Sequence, residues 1–396
     1  MALITAVSLF GDSMLYIVLP IHWKEVGLVS LVEVGILLSA NRFIRLPLNP
    51  LISKLYTIMN VRKGLTLAIL IAGSTTFLYG YAKGFTFWLI LRCVWGLAWS
   101  IIRLGSNYLI LDLSDNNNNR GYLMGTYNGL SKIGTLVGMF AGGIFVEWYG
   151  IKVVASVFGI ATFMILPVIA LIPRSNNQAA IVRTSLFTLP LLKLPKLPMM
   201  LLTVFLVMFY LDSMVTATLS HLIDIRHPNT ILFGIAIGAT TVAGILQAFR
   251  ILCSTFLSPW IGKKSDGRGQ RIIYLILALF LSSTFLSIVQ FDLPIYIWLT
   301  FLLALLLTSS VLIVIMDAYI TDVIEGKMRT AAVTTFVIVS DIGVAFGPVL
   351  GFISERSYGI STTYTISTTV LLLLSILWGI EWLRMRSKSL AYSKSI

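Results

Sequence analysis

The chain has 396 residues, of which 57% are hydrophobic and only 11% charged, with a formal net charge of +13. Soluble domains carry roughly a quarter charged residues, so an apolar surplus on this scale has to face lipid, which excludes a water-soluble globule. The basic balance implies no nucleic-acid partner, because the lysines and arginines cluster in particular linkers between apolar runs.

Runs long enough to cross a bilayer, about 20 residues each, lie near 2–21, 31–51, 64–82, 86–111, 120–147, 151–172, 199–222, 231–257, 272–290, 294–317, 330–353 and 362–384. These twelve divide six and six around a polar stretch at 173–198. The expected fold class is therefore an all-α membrane protein of two pseudo-symmetric six-helix bundles, 1–172 and 199–396, joined by a cytoplasmic linker. The runs are too long for transmembrane β-strands and lack two-residue alternation. The first run has no basic residue before it and no small-residue cleavage site, so it reads as a retained helix and not a signal peptide.

Placing the N-terminus in the cytoplasm puts most of the 29 Lys and Arg in the even-numbered linkers and the C-terminal tail, among them Lys54, Arg62, Lys63, Lys263, Lys264, Arg268, Arg271, Arg384 and Arg386. The outer linkers keep only Lys24, Lys83, Lys152, Arg226 and Arg356. This asymmetry is the positive-inside pattern. Cys93 and Cys253 both fall inside apolar runs, and the three histidines are scattered, so neither a disulfide nor a metal site is expected. No Asn-x-Ser/Thr acceptor occurs, and the expected location is a bacterial inner membrane with both termini inside.

Ionisable residues inside apolar runs are costly and normally mark a cavity or pathway. In chain order these are Asp12, Arg42, Arg92, Lys132, Asp212 and Asp341, with Arg45, Arg103 and Arg250 nearer the cytoplasmic end. Asp12 and Asp212 echo one another, each followed by Ser-Met, in the first and seventh runs. Asp12 with Arg92 is the preferred coupling pair, and Tyr16, Trp95 and Trp99 are candidate cavity-lining residues. The first half holds an excess of intramembrane positive charge, which favours an anionic or zwitterionic solute over a lipophilic cation.

The chain also repeats itself at an offset of 209 residues. Ser53, Thr57, Asn60 and Arg62 fall on Gly262, Asp266, Gly269 and Arg271. Arg120 falls on Arg329; Gly134, Gly138 and Gly142 fall on Gly343, Gly347 and Gly351; and Tyr149–Gly150 falls on Tyr358–Gly359. Two like halves in an apolar chain are the plan of a transporter.

Three motifs resemble those of the major facilitator superfamily. The loop Gly262-Lys-Lys-Ser-Asp266-Gly-Arg-Gly269-Gln-Arg271 is similar to that family's G-x-x-x-D-x-x-G-x-R signature, whose acidic residue belongs to a conformational latch. The first copy keeps only Arg62. Arg92, Gly96 and Ser100 resemble R-x-x-x-G-x-x-x-(A/S), whose arginine is associated with proton coupling. Gly125, Gly134, Gly138, Gly142 and Gly143 match the antiporter signature G-(x8)-G-(x3)-G-P-(x2)-G-G, with Met139 in place of proline; Gly347-Pro348 keeps the proline in the second copy. The resemblance implies alternating access by a twelve-helix antiporter exporting a small polar solute or drug against protons, without a cofactor and as a monomer. A proton symporter, or a lipid flippase or sensor on the same scaffold, are the other readings it leaves. No nucleophile–base constellation suggests an enzyme.

Overall fold

A computed structural model describes residues 1–113, 120–172, 197–228, 230–232, 235–266, 270–323 and 329–394. Residues 173–196 of the expected linker, and Gly267, Arg268 and Gly269 of the second loop motif, lie outside the described residues. Helices α1 (Ala2–His22), α2 (Leu31–Phe43), α3 (Arg45–Ile58), α4 (Val61–Tyr79) and α5 (Phe85–Leu113) open the chain. The second apolar run is realised as two helices and not one. Pro47 has no amide hydrogen for the Phe43 carbonyl, so the chain breaks at Ile44, and the proline is tolerated in the first turn of α3.

Helix α6 (Arg120–Met164) carries two runs, separated at Gly150, whose φ is 75°. Helix α12 (Arg329–Tyr358) and helix α13 (Ile360–Lys394) meet at Gly359, where φ is 81°. Only glycine adopts this left-handed geometry without strain, so the repeat seen in sequence places the same turn in both halves.

The seventh run is helix α7 (Leu197–Val207), a π-turn at Met208–Met214 and helix α8 (Val215–Arg226). Helices α9 (Ala239–Lys264), α10 (Gln270–Ile288) and α11 (Ile295–Val323) follow. The eighth run was expected from 231. Instead α9 begins at Ala239, where Gly238 and the hydroxyls of Thr240 and Thr241 form a start signal. Before it, a minimal antiparallel ladder pairs Ile231 with Ala236 and Leu232 with Ile235, a small departure from the all-α expectation. Among the described residues ten helical stretches are long and apolar enough to cross a membrane. One of them, Leu123–Leu171, spans two expected runs, and the broken α2–α3 pair is not among the ten. The tally is therefore consistent with twelve crossings.

The chain divides into two compact units. One comprises Met1–Arg183, Thr216–Ile251 and Pro348–Phe352; the other comprises Thr184–Val215, Leu252–Gly347 and Ile353–Ile396. In the first unit α1 lies along α6, α4 packs on α5 and α6, and α2 packs on α5. In the second, α10 packs on α11 and α13, and Trp378 donates its indole N–H to Thr203 at 2.9 Å.

The α1–α6 seam is made by glycines. A Cβ at Gly138 would stand 2.5 Å from the Phe10 carbonyl oxygen, and one at Gly134 would collide with the Ala6 backbone. Small residues let the helix backbones touch where no hydrophobic force joins them in lipid. Gly125 meets nothing within 4 Å and takes no part in the seam. Gly138→Leu is expected to destabilise the fold by about 3 kcal/mol, the upper range for overpacking, while Gly125→Ala leaves the thermal unfolding midpoint unchanged in detergent.

Candidate functional site

Asp12 stands in the middle of α1 and Arg92 on α5, and they form a buried ion pair in the first unit. Arg92 is fully buried and Asp12 is 8% exposed. The Arg92 Nε–H donates to the Leu37 carbonyl at 2.9 Å, which fixes the guanidinium against α2. Asn41, also on α2, donates its side-chain amide to Asp12 Oδ1 at 3.0 Å. Arg92 and Asn41 thus meet the same carboxylate oxygen, Oδ1. Trp95, one turn beyond Arg92, lies under the guanidinium at 5.9 Å and stacks on Trp99 at 5.7 Å. Three elements converge on one carboxylate, as an ionised group away from water requires.

Around the pair, two buried polar atoms have no hydrogen-bond partner among the described residues, Asn41 Oδ1 and the Trp95 indole N–H. Tyr79 lies within electrostatic reach of both Arg92 and Asp12, and its ring stacks on Trp88 at 5.1 Å. Buried polar atoms are costly to leave unpaired, and a pair of them suits a site that exchanges partners. Asn41 and Tyr79 were not singled out from the sequence. An amide and a phenol inside apolar runs are weaker signals than a charge.

The other candidates are dispersed. Arg42 donates to the Tyr16 hydroxyl at 3.1 Å, and that hydroxyl donates to the Leu38 carbonyl at 3.3 Å, forming a second polar contact between α1 and α2. Lys132 is exposed on α6, away from the pair. Asp212 is half-buried within the π-turn, and Asp341 is half-buried on α12. Arg250 is buried, with Thr216 and Gln247 at 3.3 and 3.4 Å.

In the second loop motif, Arg271 bridges two carboxylates, pairing with Asp266 and, at 2.6 Å, with Asp322 at the end of α11. Gly262 has open space around it. The first copy uses hydroxyls where the second uses charges. Ser53 hydrogen-bonds the Tyr108 hydroxyl at 2.8 Å, and Tyr56 donates to the Ile101 carbonyl at 2.8 Å. Burial, then the neighbouring Tyr108, pushes the Tyr56 phenol up from its ordinary range, so it stays a neutral donor. Asn60 caps α4 by accepting the Arg62 amide N–H at 3.0 Å.

A contact that the sequence reading missed joins α6 to α9. Glu147 accepts hydrogen bonds from the Gly238 amide at 3.2 Å, the Thr241 amide at 3.1 Å, the Thr241 hydroxyl at 2.7 Å and the Thr240 hydroxyl. The carboxylate therefore caps the N-terminus of α9, where unpaired amides and the helix dipole favour negative charge. One turn earlier, Gly143 brings the two backbones together: a Cβ there would lie 2.5 Å from the Thr240 carbonyl oxygen. The signal available in sequence was Gly143 four residues before Glu147, set against a helix start rich in hydroxyls.

A membrane-spanning helical protein with a buried ion pair, built on a repeated half, defines a transporter. The sequence description of the Major Facilitator Superfamily matches residues 1–254, well over half of the chain, and the protein belongs to that family. Among solved structures it is similar to a bacterial homologue of the human lysosomal transporter Spinster in an inward-facing, occupied conformation, with a TM-score of 0.71, 15% identity, and 97% and 95% of the two chains covered. It is also similar to the nucleoside transporter NupG, with a TM-score of 0.74, 13% identity and 96% of each chain covered. At these identities the likeness is one of fold. No curated protein sequence matches the chain.

Removing the α9 cap should be measurable without a substrate. Glu147→Ala loses charge-assisted hydrogen bonds and is expected to cost about 2–3 kcal/mol, read as a lower unfolding midpoint. Glu147→Gln, which keeps an acceptor oxygen, should lose less than half of that.

Proposed function

We propose that the protein is a proton-coupled exporter that moves a small anionic or zwitterionic organic solute across the cell membrane by alternating access, with both termini in the cytoplasm. The observation that carries this reading is the buried Asp12–Arg92 pair. When Asp12 is ionised, Arg92 is neutralised by it. An ionised Asp12 can hold the ammonium group of a zwitterionic solute and a protonated one cannot, so proton and solute compete for one carboxylate, as exchange requires. Arg92, beside that carboxylate, is the group placed to meet the acidic end of the same solute. Trp95 and Trp99 offer an apolar wall beside the charge.

The antiporter glycine pattern and the positive bias of the first half support export of such a solute. The Glu147 cap joins α6 to α9 at the end that the basic-residue pattern assigns to the outer side. Outward opening would then require this cap to part. Nucleosides and phosphate-bearing compounds belong in any substrate panel, since the fold is shared with a nucleoside transporter.

In inside-out proteoliposomes with an acidic lumen, one or more labelled anionic or zwitterionic solutes are expected to accumulate, and adding that solute should alkalinise the lumen. A symporter would instead drive the same solute out of these vesicles. No gradient-dependent flux for any polar solute, with movement of a fluorescent phospholipid, would replace the proposal with a flippase reading.

A further inference from the structure

The two copies of the glycine signature differ at three positions, Gly125 against Thr334, Met139 against Pro348 and Gly143 against Phe352, and the helices they pack on differ as well. In the first copy Gly138 lies against Phe10 and Ser13 of α1, and α1 is α-helical through Asp12 and Ser13. Met139 keeps its amide hydrogen, so α6 needs no outside donor at that level. In the second copy Pro348 has none, and the carbonyl it would have served, four residues earlier, is that of Val344. Ser213 fills the place: its hydroxyl donates to the Val344 carbonyl oxygen at 2.6 Å. Gly347 makes the approach possible, since a Cβ there would stand 2.5 Å from the Ser213 Cβ.

Ser213 lies inside the π-turn Met208–Met214, and Val215 bonds back to Tyr210, five residues earlier. A π-turn inserts one residue into a helix and rotates what it carries relative to the flanking turns, and such turns are frequent at functional sites. Asp212 is the residue carried. It is half-buried, whereas Leu211, Ser213 and Met214 beside it are buried. Its pseudo-symmetric partner Asp12, on an unbroken helix, is locked against Arg92.

We propose that Ser213 is a positioning residue for Asp212: by satisfying the carbonyl that Pro348 frees, it holds the π-turn that presents Asp212. The clasp gives the two echoed carboxylates different environments on one repeated scaffold. This rests on the reading of Asp212 as a cavity carboxylate, but the clasp itself is tested by position alone.

The test is the rate of maleimide labelling at Asp212→Cys, in the full chain with Cys93→Ser and Cys253→Ser, reconstituted in lipid. Adding Ser213→Ala should slow labelling about fivefold, the shift one hydrogen bond supports. Ser213→Thr, which keeps the hydroxyl, should preserve the rate. Pro348→Ala returns an amide donor to Val344, so in that background Ser213→Ala should change nothing; this pair also serves if the single variant fails to fold. An unchanged rate in Ser213→Ala, or a loss that Pro348→Ala does not relieve, overturns the proposal. Transport by Asp212→Asn addresses the carboxylate's own role separately.

Discussion

A carboxylate and a guanidinium held away from water are each costly, and together they are tolerable only while their geometry is kept. Asp12 and Arg92 impose that condition on the first unit. α2 supplies Leu37 and Asn41 to orient the two groups, and α1 is drawn against α6 along a glycine seam. Among the described residues, Asn41 Oδ1 and the Trp95 indole N–H beside the pair have no hydrogen-bond partner. A site designed only for stability would close those bonds. A site that must admit a proton or an anion keeps some of them open.

Duplication built the scaffold and local substitutions divided its roles. The positive-φ turns at Gly150 and Gly359 are common to both halves. The loop motif is not: Arg271 bridges Asp266 and Asp322 in the second half, while Ser53, Tyr56 and Tyr108 make uncharged contacts in the first. Hydroxyl contacts are weaker and less dependent on salt than charged ones. Proline at 348, with Ser213 answering it, is a further break in the symmetry.

Much of this was legible from residue types. Long apolar runs, basic linkers and a charge inside a helix are strong physical signals, and they located the crossings, Asp12 and Arg92. The break of α2 at Ile44 was also written in the chain, in Pro47, but a run of hydrophobicity averages over a single proline. The late start of α9 was obscured because 231–238 is nearly as apolar as a helix. Glu147 and Ser213 were missed for a different reason. Each acts on a backbone group of a distant segment, 91 residues away for Gly238 and 131 for Val344. Sequence spacing along one helix carries no trace of such pairing.

The account turns on Asp12 as the carboxylate for which proton and solute compete, and the most direct measurement compares two modes of transport by Asp12→Asn in the same proteoliposomes. Asparagine keeps the shape and the acceptor for Arg92 but cannot carry the proton. Solute exchange at equal pH should persist, while uphill movement driven by a pH gradient should be lost. Gradient-driven accumulation equal to that of the unmodified protein would contradict the account.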